Sequence, residues 1–297
     1  MTWTVGATKI AELARQMLII TRRLPLTGTY SRIDELKALF QSIQSEYGDH
    51  ILEAAARCLL LKMTDGTYWM PPCQVPDSIR SQVVHHRERI HQEALVKPLG
   101  HYHPLKDLFL QDFSLLRGKT LPLECSILDT LVVLWRRPLT SRSLVQRLQF
   151  LGLLLRKPVG KGYFLQLHLH PGMLDNFSET GWTKNYFMVC DFLLINPGYK
   201  GLTGTSWFYD PAIEHINPDL SYLSREPLKG GAKRYLAGSD TSCNLPCLPP
   251  AQSNSQGKAP YSPQNYMLVW PRKSLLTWRK QQTKPPLARL GVYRPKG

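Results

Sequence analysis

A chain of 297 residues with 43% hydrophobic and 10% aromatic residues is too apolar to stay disordered and long enough for one or two domains. No run reaches the roughly 18 apolar residues of a membrane-spanning helix, and the start, MTWTVGATKIAELARQ, lacks the basic head, apolar middle and cleavage site of a signal peptide. The sequence therefore reads as a soluble, cytoplasmic protein. Its six scattered cysteines read as reduced thiols, not as a disulfide framework.

The net charge of +15 is unevenly distributed. Between Asp129 and Asp175 there is no acidic residue, while Arg136, Arg137, Arg142, Arg147, Arg156, Lys157 and Lys161 fall there. After Asp240 acids are again absent, against nine lysines and arginines from Lys258 to Lys296. Such segments attract polyanions. The apolar stretch LVQRLQFLGLLL, rimmed by Arg136, Arg137, Arg142, Arg147, Arg156 and Lys157, fits an acidic membrane surface and a peripheral attachment. Nucleic acid is the other polyanion, without a helix-turn-helix, RNP or zinc-finger signature to support it.

In chain order, Ser31 and Asp34 resemble a capping box before a helix with Ile33, Leu36, Phe40, Ile43 and Tyr47 on one face. HILEAAARCLLLKM gives a second helix, and DSIRSQVVHHRERIHQEAL a third, with Asp77 as N-cap. PLECSILDTLVVLWRR and SRSLVQRLQFLGLLLRK read as two more, separated at Pro138 and capped by Ser141. Residues 1–158 are thus expected to be a helical part.

From 159 to 297 the period changes. GYFLQLHLH alternates as a strand, TGWTKNYFMVCDFLLINPG reads as a helix stopped at Asn196-Pro197-Gly198, and KGLTGTSWFYD reads as a buried strand. Strand, helix, strand makes a parallel βαβ unit. A helical stretch around DLSYLSREPLKGGAKRYL, a strand QNYMLVWP and a helix RKSLLTWRKQQ follow. The expected fold is a mixed α+β or α/β structure, helices packed on a small mixed sheet that contains the parallel unit. Residues 237–264 are expected to be a mobile loop and 283–297 a basic tail.

The carboxyl ends of the two parallel strands are the expected active site, since ligands bind there in open parallel sheets. Tyr209 is the candidate acid, and Asp210 or His170 the candidate base. The helix between the strands points its N-terminus at the same end, so Ser178, Thr180 and Gly181, with Trp207 nearby, are candidates for holding phosphates. This element order resembles that of GNAT-fold acyltransferases, in which a CoA-type pyrophosphate sits between two splaying parallel strands. The resemblance implies acyl-CoA as co-substrate and a group-transfer reaction. FSETGWTKN lacks that family's glycine-rich pyrophosphate loop. A second expectation is a metal-dependent enzyme, because His168 and His170 at i and i+2 share a strand face. A third is a non-enzymatic binder of an anionic surface.

Overall fold

The computed structural model describes residues 2–26, 30–31, 33–134, 136–140, 143–155, 162–239 and 264–282. Four helices come first: α1 (Thr2–Arg23), α2 (Asp34–Met63), α3 (Asp77–Val96) and α4 (Asp107–Leu116). Their shared interior is apolar and fully buried, with Met17, Leu36, Phe40, Leu59, Phe109 and Phe113 at its centre. Gly48, at φ 80°, breaks α2 into two segments, a conformation that glycine adopts without steric cost. Helix α2 starts after Ile33 and makes no side-chain cap bond, so the Ser31/Asp34 capping box does not form, and Asp77 is the first residue of α3, not its cap.

PLECSILDTLVVLWRR is the clearest departure from the expected elements. It begins at the last residue of β1 (Thr120–Pro122) and forms β2 (Ile127–Val132), the two strands joined by a tight turn in which Leu123 N–H donates to Ser126 C=O. A short run buried on both faces has no distinguishing period, so helix and strand read alike there. The turn decides it. Next come α5 (Leu144–Leu155), β3 (Phe164–His168), α6 (Glu179–Ile195), β4 (Gly201–Ser206), α7 (Tyr222–Lys229), β5 (Lys233–Ser239), β6 (Gln264–Pro271) and α8 (Arg272–Gln282). Ser141 lies outside the described residues; Ser143 accepts from Gln146 N–H at the start of α5 instead. The expected loop and tail fall almost wholly outside the described residues, although 237–239 belong to β5.

The six strands form one sheet in the order β1-β2-β3-β4-β6-β5. Only β3 and β4 are parallel, and α6 connects them, which is the βαβ unit read from the sequence. The position between 158 and 159 falls between α5 and β3, and strands from both sides of it share this sheet.

Alternation along the strands divides the core. Leu128, Leu165, Leu202, Leu268 and Trp270 pack with α6 and α8 on one face. On the other, Ile127 meets the N-terminal helices, while Phe164, Met267 and Val269 meet Phe150 and Leu153 of α5.

One buried carboxylate ties the helices to the sheet. Asp112 of α4 accepts hydrogen bonds from Arg89 of α3 and from His170 Nε2 at 3.0 Å, and lies 2.9 Å from the Tyr102 hydroxyl. Gly172 N–H donates to His170 Nδ1, so Nε2 carries the ring hydrogen toward Asp112. Burial alone would raise the Asp112 carboxyl, but His170 and the Arg89 guanidinium hold it below the ordinary carboxylate range. Replacing Asp112 with Ala leaves the nearly buried Arg89 facing an unfilled site. The expected loss is about 3–5 kcal/mol of unfolding free energy, read from urea denaturation; a loss under about 1 kcal/mol would show that water substitutes for the carboxylate.

Candidate functional site

β3 and β4 are paired only at Leu165 with Leu202 and Gln166 with Thr203. Beyond that point Leu167 and His168 stay paired with β2, while Gly204, Thr205 and Ser206 stay paired with β6. Each strand follows its antiparallel neighbour, and the two part. A cavity of about 260 Å³ opens in the gap at their carboxyl ends. Its walls are Leu167, His168 and Leu169 from one strand, Thr205 and Ser206 from the other, Phe208 and Tyr209 after β4, Trp182 of α6, Leu223 of α7, and Tyr30, Asp107 and Gln111 from the helical part. This is the end of the parallel strands to which the sequence pointed.

His168 is the titratable group at the centre. Burial and the nearby Lys119 push it down to about 4, so it is neutral at physiological pH. Its Nε2 is buried without a hydrogen-bond partner among the described residues and lies 4.0 Å from the Asp129 carboxylate. A movement of about 1 Å would complete that hydrogen bond. Asp129, on the neighbouring strand, is itself pushed up to about 6 by burial, against the opposing pull of Lys119 and of backbone N–H groups including that of Tyr30. The His168 side chain keeps 21% of its surface exposed, so the ring is buried on the Asp129 side and accessible elsewhere.

The opposite wall holds its own network. The Tyr30 ring meets the His168 ring edge-on at 5.0 Å, and its hydroxyl donates to Asp107 at 2.6 Å. Gln111 Nε2 donates to Asp107 at 2.7 Å and to the Leu169 carbonyl at 3.0 Å, joining α4 to the end of β3. The Trp182 indole N–H is buried without an acceptor among the described residues. None of Tyr30, Asp107, Gln111, Asp129 and Trp182 was singled out from the sequence. Asp129 alone left a signal, as a lone acid inside the apolar run SILDTLVV.

GLTGTSWFYDP is a strand followed by a single turn of 3-10 helix, Trp207–Tyr209, which folds Tyr209 back beneath β4. Gly204 makes room for it: a Cβ there would lie 2.8 Å from the Tyr209 hydroxyl oxygen. Burial pushes the Tyr209 hydroxyl up to about 12, so it stays protonated. Trp207 is buried against Phe208 and does not border the cavity.

The two candidate bases sit elsewhere. Asp210 uses one carboxylate oxygen on Ala212 N–H and the other on Gln264 N–H, which makes it a turn-fixing residue. His170 is fully buried with both ring nitrogens engaged, one by Asp112 and one by Gly172. His168 and His170 do not converge either, since strand alternation ends at His168 and each ring faces a different carboxylate. Among the described residues no three His, Cys, Asp or Glu side chains are grouped as a metal ion requires.

At the start of α6, Ser178 accepts from Gly181 N–H at 3.1 Å and so occupies one of the free donors. Thr180 is exposed, and Gly181 is required because a Cβ would lie 2.0 Å from the Asn176 carbonyl oxygen. Ser178 borders a separate hollow with Glu179, Asp219 and Arg225, and Phe177 and Phe208 pack between that hollow and the first. Glu179 already complements the helix dipole and pairs with Arg225 at 2.7 Å. With two acids and one paired cation, this helix start does not fit a diphosphate.

No protein-family model, curated protein or solved structure matches this chain.

The opposed shifts of His168 and Asp129 have a pH signature. His168 falls from 6.5 to about 4 on folding, so the unfolded chain binds more protons between those values and this contribution to stability drops on acidification. Asp129 rises from 3.8 to about 6, so its contribution grows over nearly the same window. Asp129→Asn removes the compensating group, and its Tm is expected to fall more steeply than that of the unsubstituted protein between pH 6.5 and 4. His168→Gln is expected to flatten the fall. Parallel Tm profiles for all three proteins in calorimetry would refute both shifts.

Proposed function

We propose that this protein is a group-transfer enzyme that reacts an acyl donor, such as an acyl thioester of coenzyme A, with a small nucleophile in the gap between β3 and β4. The observation that supports this reading most is the divergence of the parallel strands around a neutral, partly accessible His168. A gap between splaying parallel strands is the feature that the GNAT-like element order implies. An imidazole held neutral is a base ready to accept a proton, and a tyrosine held protonated is an acid ready to donate one.

In the proposed reaction the N–H or O–H of the acceptor attacks the acyl carbon. His168 takes the proton as the new bond forms, and Asp129 stabilises the imidazolium after closing on Nε2. The bond from acyl carbon to sulfur breaks, and Tyr209 gives its proton to the departing thiolate. Proton transfer from His168 to Tyr209, directly or through water, restores both groups. Ser206, on the cavity wall, supplies a hydroxyl donor for the developing oxyanion, and Trp182 lines the same wall. Since the start of α6 is unsuited to phosphates, the donor's charged part is expected to stay outside the gap. The metal-dependent reading has no comparable support, because Asp112 holds His170 in the core while His168 faces Asp129.

The test is release of free coenzyme A from acetyl-CoA, measured by chromatography in the presence of a panel of small amines and alcohols. His168→Gln is expected to lower kcat by about 10²- to 10⁴-fold with Tm near that of the unsubstituted protein at pH 7.5, and Tyr209→Phe to lower kcat with little effect on KM. Equal turnover by the His168→Gln variant, or neither turnover nor a Tm shift with any acyl-CoA, would eliminate this reading.

A further inference from the structure

β2 and β3 are antiparallel neighbours, with Val132 opposite Phe164, yet residues 133–163 intervene where a short turn would suffice. In sequence this excursion holds seven basic residues and no acidic one. Its helix, α5, packs through one side only: Phe150 and Leu153 are buried, and Phe150 meets Tyr235 of β5 at 5.0 Å. The other side is apolar and exposed. Leu144, Val145, Leu148, Leu151 and Leu155 keep between 42% and 73% of their surface. At about 100° per residue they cover one face roughly 120° wide. Arg147, also exposed, lies at its edge, and the exposed Val133 and Tyr163 end the excursion.

Water gives no reason to keep five large apolar side chains on one helix face, so the face has an occupant. A second copy of this chain fits poorly. An isologous contact through α5 would set the basic excursion against itself with no acid to balance it. A helix of 12 residues is also only about 18 Å long, small beside the roughly 800 Å² per partner of a stable interface. Nucleic acid would satisfy the cations and leave the leucines in water. An acidic bilayer satisfies both, its anionic headgroups balancing the net charge of the excursion beside Arg147 and its acyl boundary taking the leucines.

We propose that α5 seats the protein on an acidic lipid surface, its Leu144–Leu155 face in the headgroup and acyl boundary. Among the described residues no helix is long and apolar enough to cross a membrane, so the contact lies in the interface. This inference rests on α5 and its charge, independently of the chemistry at His168.

The experiment is co-sedimentation of the full chain with phosphatidylcholine vesicles prepared with and without phosphatidylglycerol, alongside light scattering without lipid. The chain is expected to pellet with the phosphatidylglycerol vesicles and much less with neutral ones. The double variant Leu148→Asp, Leu151→Asp, altered only at exposed positions, is expected to bind roughly tenfold or more weakly with an unchanged Tm. If the double variant instead fails to fold, Leu148→Gln alone carries the same comparison. Equal pelleting of variant and unsubstituted protein would overturn the proposal, as would no pelleting of either. A dimer that the double variant converts to monomer, with no vesicle binding, would assign the face to a second copy.

Discussion

The buried carboxylate of Asp112 is the constraint on which the candidate site depends. It lies in an apolar interior, where a lone charge is costly, and it is retained because Arg89 and His170 supply donors from two other parts of the chain. His170 is two residues past His168. Fixing it to α4 draws the end of β3 toward the helical part, while β4 stays in register with β6 as far as Ser206. The end of β3 is thus tied both to β2 within the sheet and to the helical part outside it. Gln111, one residue before Asp112, adds a second tie to the same segment through the Leu169 carbonyl.

Around the gap, dryness is the controlling variable. Burial makes the charged form of each group unfavourable, which moves His168 down and Asp129 up. Lys119, itself buried, depresses both, and so opposes burial at Asp129 while reinforcing it at His168. The outcome is a neutral imidazole and a protonated tyrosine on the walls of one cavity, with the Asp129 carboxyl 4.0 Å from the imidazole. Perturbation of this kind is concentrated at sites of chemistry, although buried structural networks show it too, as His86 does. His86 is pushed down to about 3 by burial and by Arg89, in the hub that holds the fold together. Their surroundings differ: His168 borders the cavity between β3 and β4, and His86 is not among the residues that line it.

A second region combines a single sign of charge with an apolar face. The excursion between β2 and β3 carries a single sign and an apolar face on a helix anchored by two residues. Phe150 and Leu153 fix its inner side against β5 and β6, so its outer side is held in a set orientation relative to the sheet. The site in the gap and the α5 face are built from different parts of one sheet.

Sequence periodicity by itself determined the parts whose physics is local. The helical spacing of Leu36, Phe40 and Ile43, the alternation in FLQLH, and the Asn196-Pro197-Gly198 stop each act within a few residues, and the βαβ unit followed from them. The asymmetric charge and the apolar composition of LVQRLQFLGLLL were legible for the same reason, while the exposure of one face of that helix was decided by packing. The tertiary structure decided the identity of β1 and β2, because a run buried on both faces has no period to read. It also decided which histidine faces the gap. His168 and His170 are equivalent in the pattern, and only Asp112, 58 positions before His170, removes one of them into the core. Asp210 was lost to a turn by partners at 212 and 264, and Tyr30, Gln111 and Asp129 reached the cavity from elements far away in the chain. Such pairings depend on packing between distant segments, which no local pattern encodes.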